Sequence, residues 1–185
     1  MMEKFFLVVF MSLTLGQNKK IPNTTIIEPI IVDTSIVLDV VPVPILSNGF
    51  VNAIAFKESR MIIDTVNKYG MLGKYQFSRA TLNGLGYKHI STTTFLKSEA
   101  LQDEAMLNLL KHNDKILRKH IVKHTGDTIN GIVVTHSGIL AAAHLAGPSN
   151  VKKWLRTKGK KTRTDGFGTS IETYMNKFKN YKINI

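Results

Sequence analysis

The sequence predicts a mainly helical fold for residues 47–185, organised as a single domain. Apolar residues recur there at helical spacing, beginning with Phe50, Ala53 and Ile54. The alternating pattern that is typical of strands is scarce in the same region. With 185 residues, of which 43% are hydrophobic, the chain is long enough to bury one core of its own.

The first sixteen residues have the pattern of a secretory signal peptide. Lys4 gives a short charged start, Phe5 to Leu15 is largely apolar, and Gly16 is small enough to flank a cleavage point. A buried N-terminal helix and a membrane anchor are the alternatives. About eleven apolar residues are too few to cross a bilayer comfortably, because roughly 20 are needed. We therefore expect export to the periplasm or the cell exterior, associated with the wall and without a stable membrane anchor.

Residues 17–46 are predicted to form an extended linker. They hold four of the five prolines, together with many isoleucines and valines. Proline disfavours helix interiors and central strands, so this segment is expected to be a tether or an edge segment.

Charge and cysteine content restrict the class of partner. The chain has no cysteine, so its core rather than disulfides must hold the fold. The formal net charge is +12, and residues 47–185 alone carry +13 because the first 46 residues sum to −1. A basic domain suits an anionic polymer, which is either nucleic acid or the peptide carboxylates of a cell wall. Export favours the wall.

Apolar spacing and capping residues predict seven helices. The first begins at Ser47 or Asn48 and ends with Glu58, while Ser78 and Ser98 cap the second and the third. Polar residues near Asn113 interrupt the apolar stripe of the third helix. In chain order, the predicted helices cover residues 47–58, 79–83, 95–123, 128–134, 137–146, 151–155 and 169–179.

Glu58 is the candidate acid. Its spacing from Ile54 places it at the edge of the buried face, near the helix C-terminus. The helix dipole and the apolar neighbours both disfavour the charged carboxylate, so we expect its pKa to be raised. A solvated charge at a helix end is the simpler alternative.

A glycine-punctuated loop follows, from Gly70 to Phe77, and is expected to fold back over the helix end. Tyr75 and Gln76 offer a ring and an amide, the two kinds of contact that a sugar needs. Ordinary turn residues explain the glycines equally, and the core is an equal alternative for Tyr75.

Taken in order, these residues resemble the lysozyme-like lytic transglycosylases that cut peptidoglycan. The resemblance covers residues 47–178 and rests on Glu58-Ser59, on Gly-x-x-Gly-x-x-Gln at residues 70–76 and on Ala-x-x-Ala-Gly at residues 143–147, with Glu172-Thr173-Tyr174 as weaker support. It implies a lysozyme-like, mainly α fold, or at most α+β with a short hairpin near the active site.

The resemblance makes Glu58 the single catalytic acid and base. The substrate-binding residues that it implies line a saccharide groove; they are Ser59, Gly73, Tyr75, Gln76, His144 and Tyr174. Three positions depart from the family. His144-Leu145 replaces the usual Tyr-Asn, so Leu145 cannot supply the amide, and an aromatic residue at position 75 replaces the commoner methionine. The aromatic residue at position 75 indicates a divergent subfamily.

The function implied is cleavage of the β-1,4 bond between MurNAc and GlcNAc with formation of a 1,6-anhydro ring. This chemistry needs no second carboxylate, and Asp64, the only other one between Arg60 and Phe77, is expected to be a loop or capping residue. A hydrolytic muramidase and a non-catalytic peptidoglycan-binding module remain alternatives. Leu145 favours the module. A nucleic-acid binder is a third alternative, which the signal peptide disfavours.

The chain has six histidines, which raises the question of a metal site. His120 and His124 lie four residues apart, and His136 and His144 eight apart, with no accompanying glutamate or third ligand, so we expect neither a metal nor a cofactor.

Residues 152–163 hold seven basic residues and no acid, which fits a solvated face or electrostatic attraction to the wall polymer. Nucleic acid would call for interleaved aromatic residues, and Trp154, the single aromatic residue of this run, is expected in the core. A monomer is expected.

Overall fold

Helices dominate residues 48–185, which are the part of the chain that the structure, a computed structural model, describes. They hold 56% of these residues, so the prediction of a mainly α fold is confirmed at this level. In chain order, the elements are α1 (Asn48–Ser59), α2 (Arg79–Gly84), α3 (Thr92–Lys97), α4 (Glu99–His124), β1 (Thr128–Ile129), β2 (Ile132–Val133), α5 (His136–Ala146), α6 (Pro148–Arg156) and α7 (Ile171–Phe178). The predicted signal peptide and linker, and Ser47, lie outside the described residues. No helix within residues 48–185 is both long and apolar enough to cross a membrane.

Serine side chains begin α2 and α4 as predicted. The hydroxyl oxygen of Ser78 accepts a hydrogen bond from the Thr81 N–H at 3.0 Å, and that of Ser98 accepts one from the Leu101 N–H at 3.2 Å. Phe95, predicted as the start of the long helix, belongs to the separate α3 because Ser98 is extended and ends that helix. The long helix α4 runs through Asn113 without the expected interruption.

Residues 128–133 form a β-hairpin, so the helix predicted over residues 128–134 is wrong. Ile129 pairs with Ile132 across an Asn130-Gly131 turn whose two φ angles are 51° and 76°. Positive φ at both central residues is the type I′ turn that Asn-Gly favours between strands. The β-branched residues on either side of this dipeptide were the signal for a hairpin.

The core is centred on α5, which packs against α4, α6 and α7. Its residues from Ser137 to Ala143 are all buried. Gly138 allows α7 to come close, because a Cβ there would lie 2.9 Å from the Met175 carbonyl oxygen. Trp154 of α6 is fully buried, as predicted. All described residues belong to one compact unit.

Candidate functional site

Glu58 lies on the last turn of α1, and the core holds that helix firmly. Ile54 and Ala55 are fully buried, and the ring of Phe50 packs edge-on against Phe178 of α7 at 6.1 Å between centroids. Because residue 58 follows residue 54 by about one helical turn, its side chain emerges at the edge of the core. The Glu58 side chain is only 16% exposed, so the carboxylate is largely enclosed.

Tyr174 approaches this carboxylate from α7. Its hydroxyl donates a hydrogen bond to Oε1 of Glu58, and its side chain is 1% exposed. Burial raises the pKa of Tyr174, and the neighbouring charges of Glu58 and Asp165 raise it further. The hydroxyl therefore remains protonated and available as a donor.

His144 of α5 is the second neighbour of Glu58. Its Nε2 lies 3.6 Å from Oε1 of Glu58, and its side chain is 6% exposed. Burial lowers the pKa of His144, and this outweighs the opposite effects of the Glu58 carboxylate and the Tyr75 backbone. The imidazole is therefore neutral at neutral pH, so this contact is not a full ion pair.

Glu58 opens into a cavity of about 260 Å³, which we call the Glu58 cavity. A second cavity, of about 510 Å³, extends from it between α2, α4 and α5 as far as Gly147 and Pro148. Four residues line both cavities; they are Met71, Gln76, His144 and Leu145. Because the two cavities share these walls, they lie side by side, and we call the pair of them the groove. None of the hairpin residues Thr128–Val133 lines either cavity. Isolated antiparallel bridges lie closer to the site, in the loop after α1, where Leu72 pairs with Val66 and with Phe77.

The loop after α1 folds back as predicted and places Gln76 at the middle of the groove. Leu72 and Phe77 exchange two backbone hydrogen bonds of 2.9 Å, which close the loop. Gln76 has a φ of 52°, and its side-chain Nε2 donates to the Gly73 carbonyl at 2.8 Å. Three residues predicted from the sequence thus lie beside Glu58: Gln76 and His144 line its cavity, and Tyr174 contacts its carboxylate.

Ser59, Gly73 and Tyr75 line neither cavity, contrary to the sequence prediction. The Ser59 hydroxyl donates to the Lys74 carbonyl at 2.9 Å, and the buried Tyr75 hydroxyl donates to Asp103 of α4 at 2.7 Å. A Cβ at Gly73 would lie 2.2 Å from Oε1 of Gln102, so this glycine lets α4 approach. Ser59 therefore ties the loop to the end of α1, whereas Gly73 and Tyr75 hold it against α4.

Lys74 and Gln102 fix the same loop, and neither is among the residues predicted from the sequence. The Lys74 side chain is 3% exposed, and its Nζ lies 2.7 Å from carboxylate oxygens of both Glu99 and Asp103. Gln102 Oε1 accepts from the Lys74 N–H at 2.7 Å, while its Nε2 donates to the Ile63 carbonyl at 2.9 Å. The pairing of the loop with α4 depends on tertiary structure that a local pattern does not contain.

Two exposed aromatic residues at the rim of the Glu58 cavity were also missed. The rings of Tyr69 and Phe167 meet edge to face with centroids 4.9 Å apart, although 47% and 61% of these residues are exposed. The Tyr69 hydroxyl donates to the Gly166 carbonyl at 2.8 Å. This contact joins the loop after α1 to the loop before α7 beside the cavity.

Asp165 supplies a second carboxylate to the Glu58 cavity. Its Oδ1 accepts hydrogen bonds from the N–H groups of Phe167 at 2.9 Å and Thr169 at 2.7 Å. Asp64, the carboxylate considered in the sequence, is exposed and lines neither cavity. A search confined to the loop after Glu58 could not find Asp165, which lies more than a hundred residues away.

Within residues 48–185, no group of three or more histidine, cysteine or acidic side chains is placed to hold a metal ion. The rings of His120 and His124 stack at 6.0 Å between centroids. His136 instead pairs with Asp114, at 2.7 Å from Nε2 to Oδ1.

Comparison with family models, curated proteins and solved structures yields no match for the chain. The site therefore stands on its own geometry. An enclosed carboxylate meets a buried phenol and a neutral imidazole at one end of a groove.

Proposed function

We propose that this protein is a peptidoglycan lytic transglycosylase of lysozyme-like fold, which cuts the β-1,4 bond between MurNAc and GlcNAc. The observation that carries the proposal is the enclosed Glu58 carboxylate, which receives the Tyr174 hydroxyl on Oε1 at the end of a groove. The ordered motifs around residues 58, 70–76 and 143–147 add support.

In the first step, protonated Glu58 gives its proton to the glycosidic oxygen as the bond to C1 of MurNAc breaks. Tyr174 and His144 both approach Oε1, which leaves Oε2 as the oxygen that carries the proton. A neutral His144 suits this role, because an imidazolium at 3.6 Å would favour the ionised carboxylate and weaken the acid.

In the second step, the Glu58 carboxylate takes the proton of the C6 hydroxyl of the same MurNAc. The C6 oxygen bonds to C1 and closes the 1,6-anhydro ring, so no water is consumed and Glu58 regains its proton. Because the nucleophile belongs to the substrate, no translational freedom is lost in bringing it to C1. The retained hydrogen bond from Tyr174 stabilises the carboxylate between the two steps.

The groove offers both kinds of contact that a saccharide uses. Gln76 contributes an amide where the two cavities join, and Met71 and Leu145 contribute apolar surface beside it. Leu145 stands where the resembling family has an amide, so the sugar there is held by packing.

Digestion of purified peptidoglycan, followed by mass spectrometry of the fragments, tests the proposal. The wild type is expected to release 1,6-anhydro ends, which are lighter by one water than reducing ends. Glu58→Gln keeps the size of the side chain but cannot donate the proton. This variant is therefore expected to release neither anhydro ends nor reducing ends. A wild type that binds the wall and releases no fragment would favour the non-catalytic binding module instead.

A hydrolytic muramidase is the second candidate, and Asp165 in the Glu58 cavity is the observation that favours it. Hydrolysis normally uses two carboxyl groups, one of which serves as base or nucleophile. Asp165→Asn separates the two mechanisms, because an asparagine Oδ1 still accepts the two backbone N–H groups. A transglycosylase keeps its activity in this variant, whereas the cleavage rate of a muramidase falls by about 100-fold or more.

A further inference from the structure

A basic surface lies on α6, beyond the end of the groove. One side of this helix is fully buried through Val151, Trp154 and Leu155. The other side lines a depression of about 480 Å³, which we call the α6 cleft; its residues are Ser149, Lys152, Lys153, Arg156, Thr157 and Lys161. A recess of about 120 Å³ shares Lys153 and Lys161 and adds Arg163.

The cleft collects positive charge without a balancing acid in its walls. The cations of the cleft and the adjoining recess are Lys152, Lys153, Arg156, Lys161 and Arg163. In the part of the chain that the structure describes, none of the five forms a salt bridge. The nearby Glu172 instead accepts hydrogen bonds from Trp154 Nε1, at 2.6 Å, and from the Thr162 hydroxyl. Several like charges around one depression repel one another, and an anionic ligand relieves that repulsion.

The positive potential extends to the neighbouring helix α4. Burial lowers the pKa of His120, and the charges of His124, Lys152, Arg156 and Lys123 lower it further. The basic residues of α6 are therefore close enough to act on an imidazole of another helix.

The cations stand on a rigid support. The Gly159 N–H donates to the Trp154 carbonyl at 3.0 Å, and the Lys161 N–H donates to the Thr157 hydroxyl at 3.2 Å. These bonds turn the chain back over the helix end, which brings Lys161 beside Lys153. Less side-chain and loop freedom is lost when a ligand binds to a surface arranged in this way.

The α6 cleft begins where the groove ends. Pro148 lines the second cavity, and Ser149, the next residue, lines the cleft. The nine residues of α6 give it a length of about 13 Å. A peptide of five residues spans at most about 17 Å, so one that starts at the groove can run along the whole helix.

We propose that the α6 cleft binds the anionic stem peptide of a peptidoglycan strand whose glycan lies in the groove. This inference rests on the proposed function and deepens it, because it names peptide-bearing strands as the preferred substrate. A stem peptide carries several carboxylates within the length of α6, which matches the row of cations. Nucleic acid fits less well, because the one aromatic ring of α6, Trp154, is fully buried and offers no face for base stacking.

The test is a binding assay on the full chain carrying Glu58→Gln, which prevents turnover. Affinity is measured for intact peptidoglycan, for glycan stripped of its stem peptides by an amidase, and for duplex DNA, each over a series of salt concentrations. The cleft variant is Lys152→Gln, Lys153→Gln and Arg156→Gln together. Its control changes three exposed lysines of α4 that line neither the groove nor the cleft: Lys111→Gln, Lys115→Gln and Lys119→Gln.

The cleft variant is expected to bind intact peptidoglycan about tenfold more weakly, since an exposed ion pair is worth about twofold and three are lost. Its affinity for stripped glycan should be unchanged, and the control should bind both like the parent. The tenfold loss should shrink as salt rises. Equal affinity of cleft variant and control for intact peptidoglycan overturns the inference, as does tighter binding to DNA than to the wall.

Failure of the enzyme and failure of the cleft are distinguishable. The same three substitutions are made in the active chain, and the fragments from intact and stripped glycan are analysed. If 1,6-anhydro ends form from both polymers at equal rates in the wild type, the proposed function stands and the peptide preference is overturned. If no such ends form but the tenfold difference in binding persists, the cleft is supported and the enzymatic proposal falls.

Discussion

The hydroxyl of Tyr174 donates a hydrogen bond to Oε1 of Glu58, although 116 residues separate them in the chain. Glu58 lies at the end of α1 and Tyr174 lies on α7. The rings of Phe50 and Phe178 pack these two helices together. The core therefore sets the position of the phenol relative to the carboxylate.

Tyr174→Phe should reduce the release of 1,6-anhydro fragments by about 10- to 100-fold, which is the worth of a hydrogen bond to a charged group. The ring and its packing remain, so the thermal midpoint should change little. Tyr181→Phe is the control, because its ring also packs on Phe50 while Tyr181 lines neither cavity. Unchanged activity in Tyr174→Phe, or an equal loss in the control, contradicts the assigned role.

His144 should make stability depend on pH. Burial lowers its pKa below the ordinary value of 6.5, so the unfolded chain binds the proton more readily than the folded one. Stability is therefore expected to fall as the pH drops below about 6.5, by about 1.4 kcal/mol for each unit by which the pKa is lowered. Urea unfolding at about three pH values between pH 7.5 and pH 5 checks this expectation.

His144→Gln should lose that part of the pH dependence, whereas His89→Gln, which changes an exposed histidine, should keep it. If the His144 variant loses stability on acidification as steeply as the wild type, its burial is not the source of the effect.

Lys74 should be essential to the loop that carries Gln76. Lys74→Ala removes a nearly buried ammonium group from Glu99 and Asp103, and both acids are half exposed and rehydrate readily. We expect a loss of about 1–3 kcal/mol in the free energy of unfolding, less than for a fully buried pair. The measurement is urea unfolding, with Lys97→Ala, an exposed lysine at the end of α3, as the control. Equal stability of the two variants would show that the ion pairs do not hold the loop.

The aromatic rim should contribute to sugar binding. Phe167→Ala is expected to raise KM for peptidoglycan fragments by about three- to tenfold, since one aromatic contact is worth about 0.5–1.5 kcal/mol, with kcat little changed. Val122→Ala is the control, because Val122 is 77% exposed and lines neither cavity. A loss confined to kcat would place Phe167 in the chemical step and contradict its role in binding.

Local signals predicted much of the fold. Ser78 and Ser98 cap their helices because each offers a hydroxyl oxygen to a backbone N–H three residues later. The hairpin was missed because β-branched residues occur in short helices as well as strands, and the Asn130-Gly131 turn was the stronger signal. The lysozyme-like fold, the signal peptide and the linker remain predictions.

The site was predictable only where the chain itself sets the geometry. Glu58 and Gln76 followed from a helix end and a short loop. Tyr75 is buried against Asp103 and does not line the groove, in a loop where Gly73 and Gln76 have positive φ values of 69° and 52° that the local pattern did not specify. The contact between Tyr69 and Gly166 joins loops 97 residues apart, and no local pattern predicts it.

The most direct test of the central claim is digestion of peptidoglycan by the wild type in water enriched in heavy oxygen, followed by mass spectrometry of the new glycan ends. We expect anhydro ends that contain no solvent oxygen, because the C6 hydroxyl of the substrate closes the ring. Reducing ends that carry one heavy oxygen each would contradict it and identify a hydrolase.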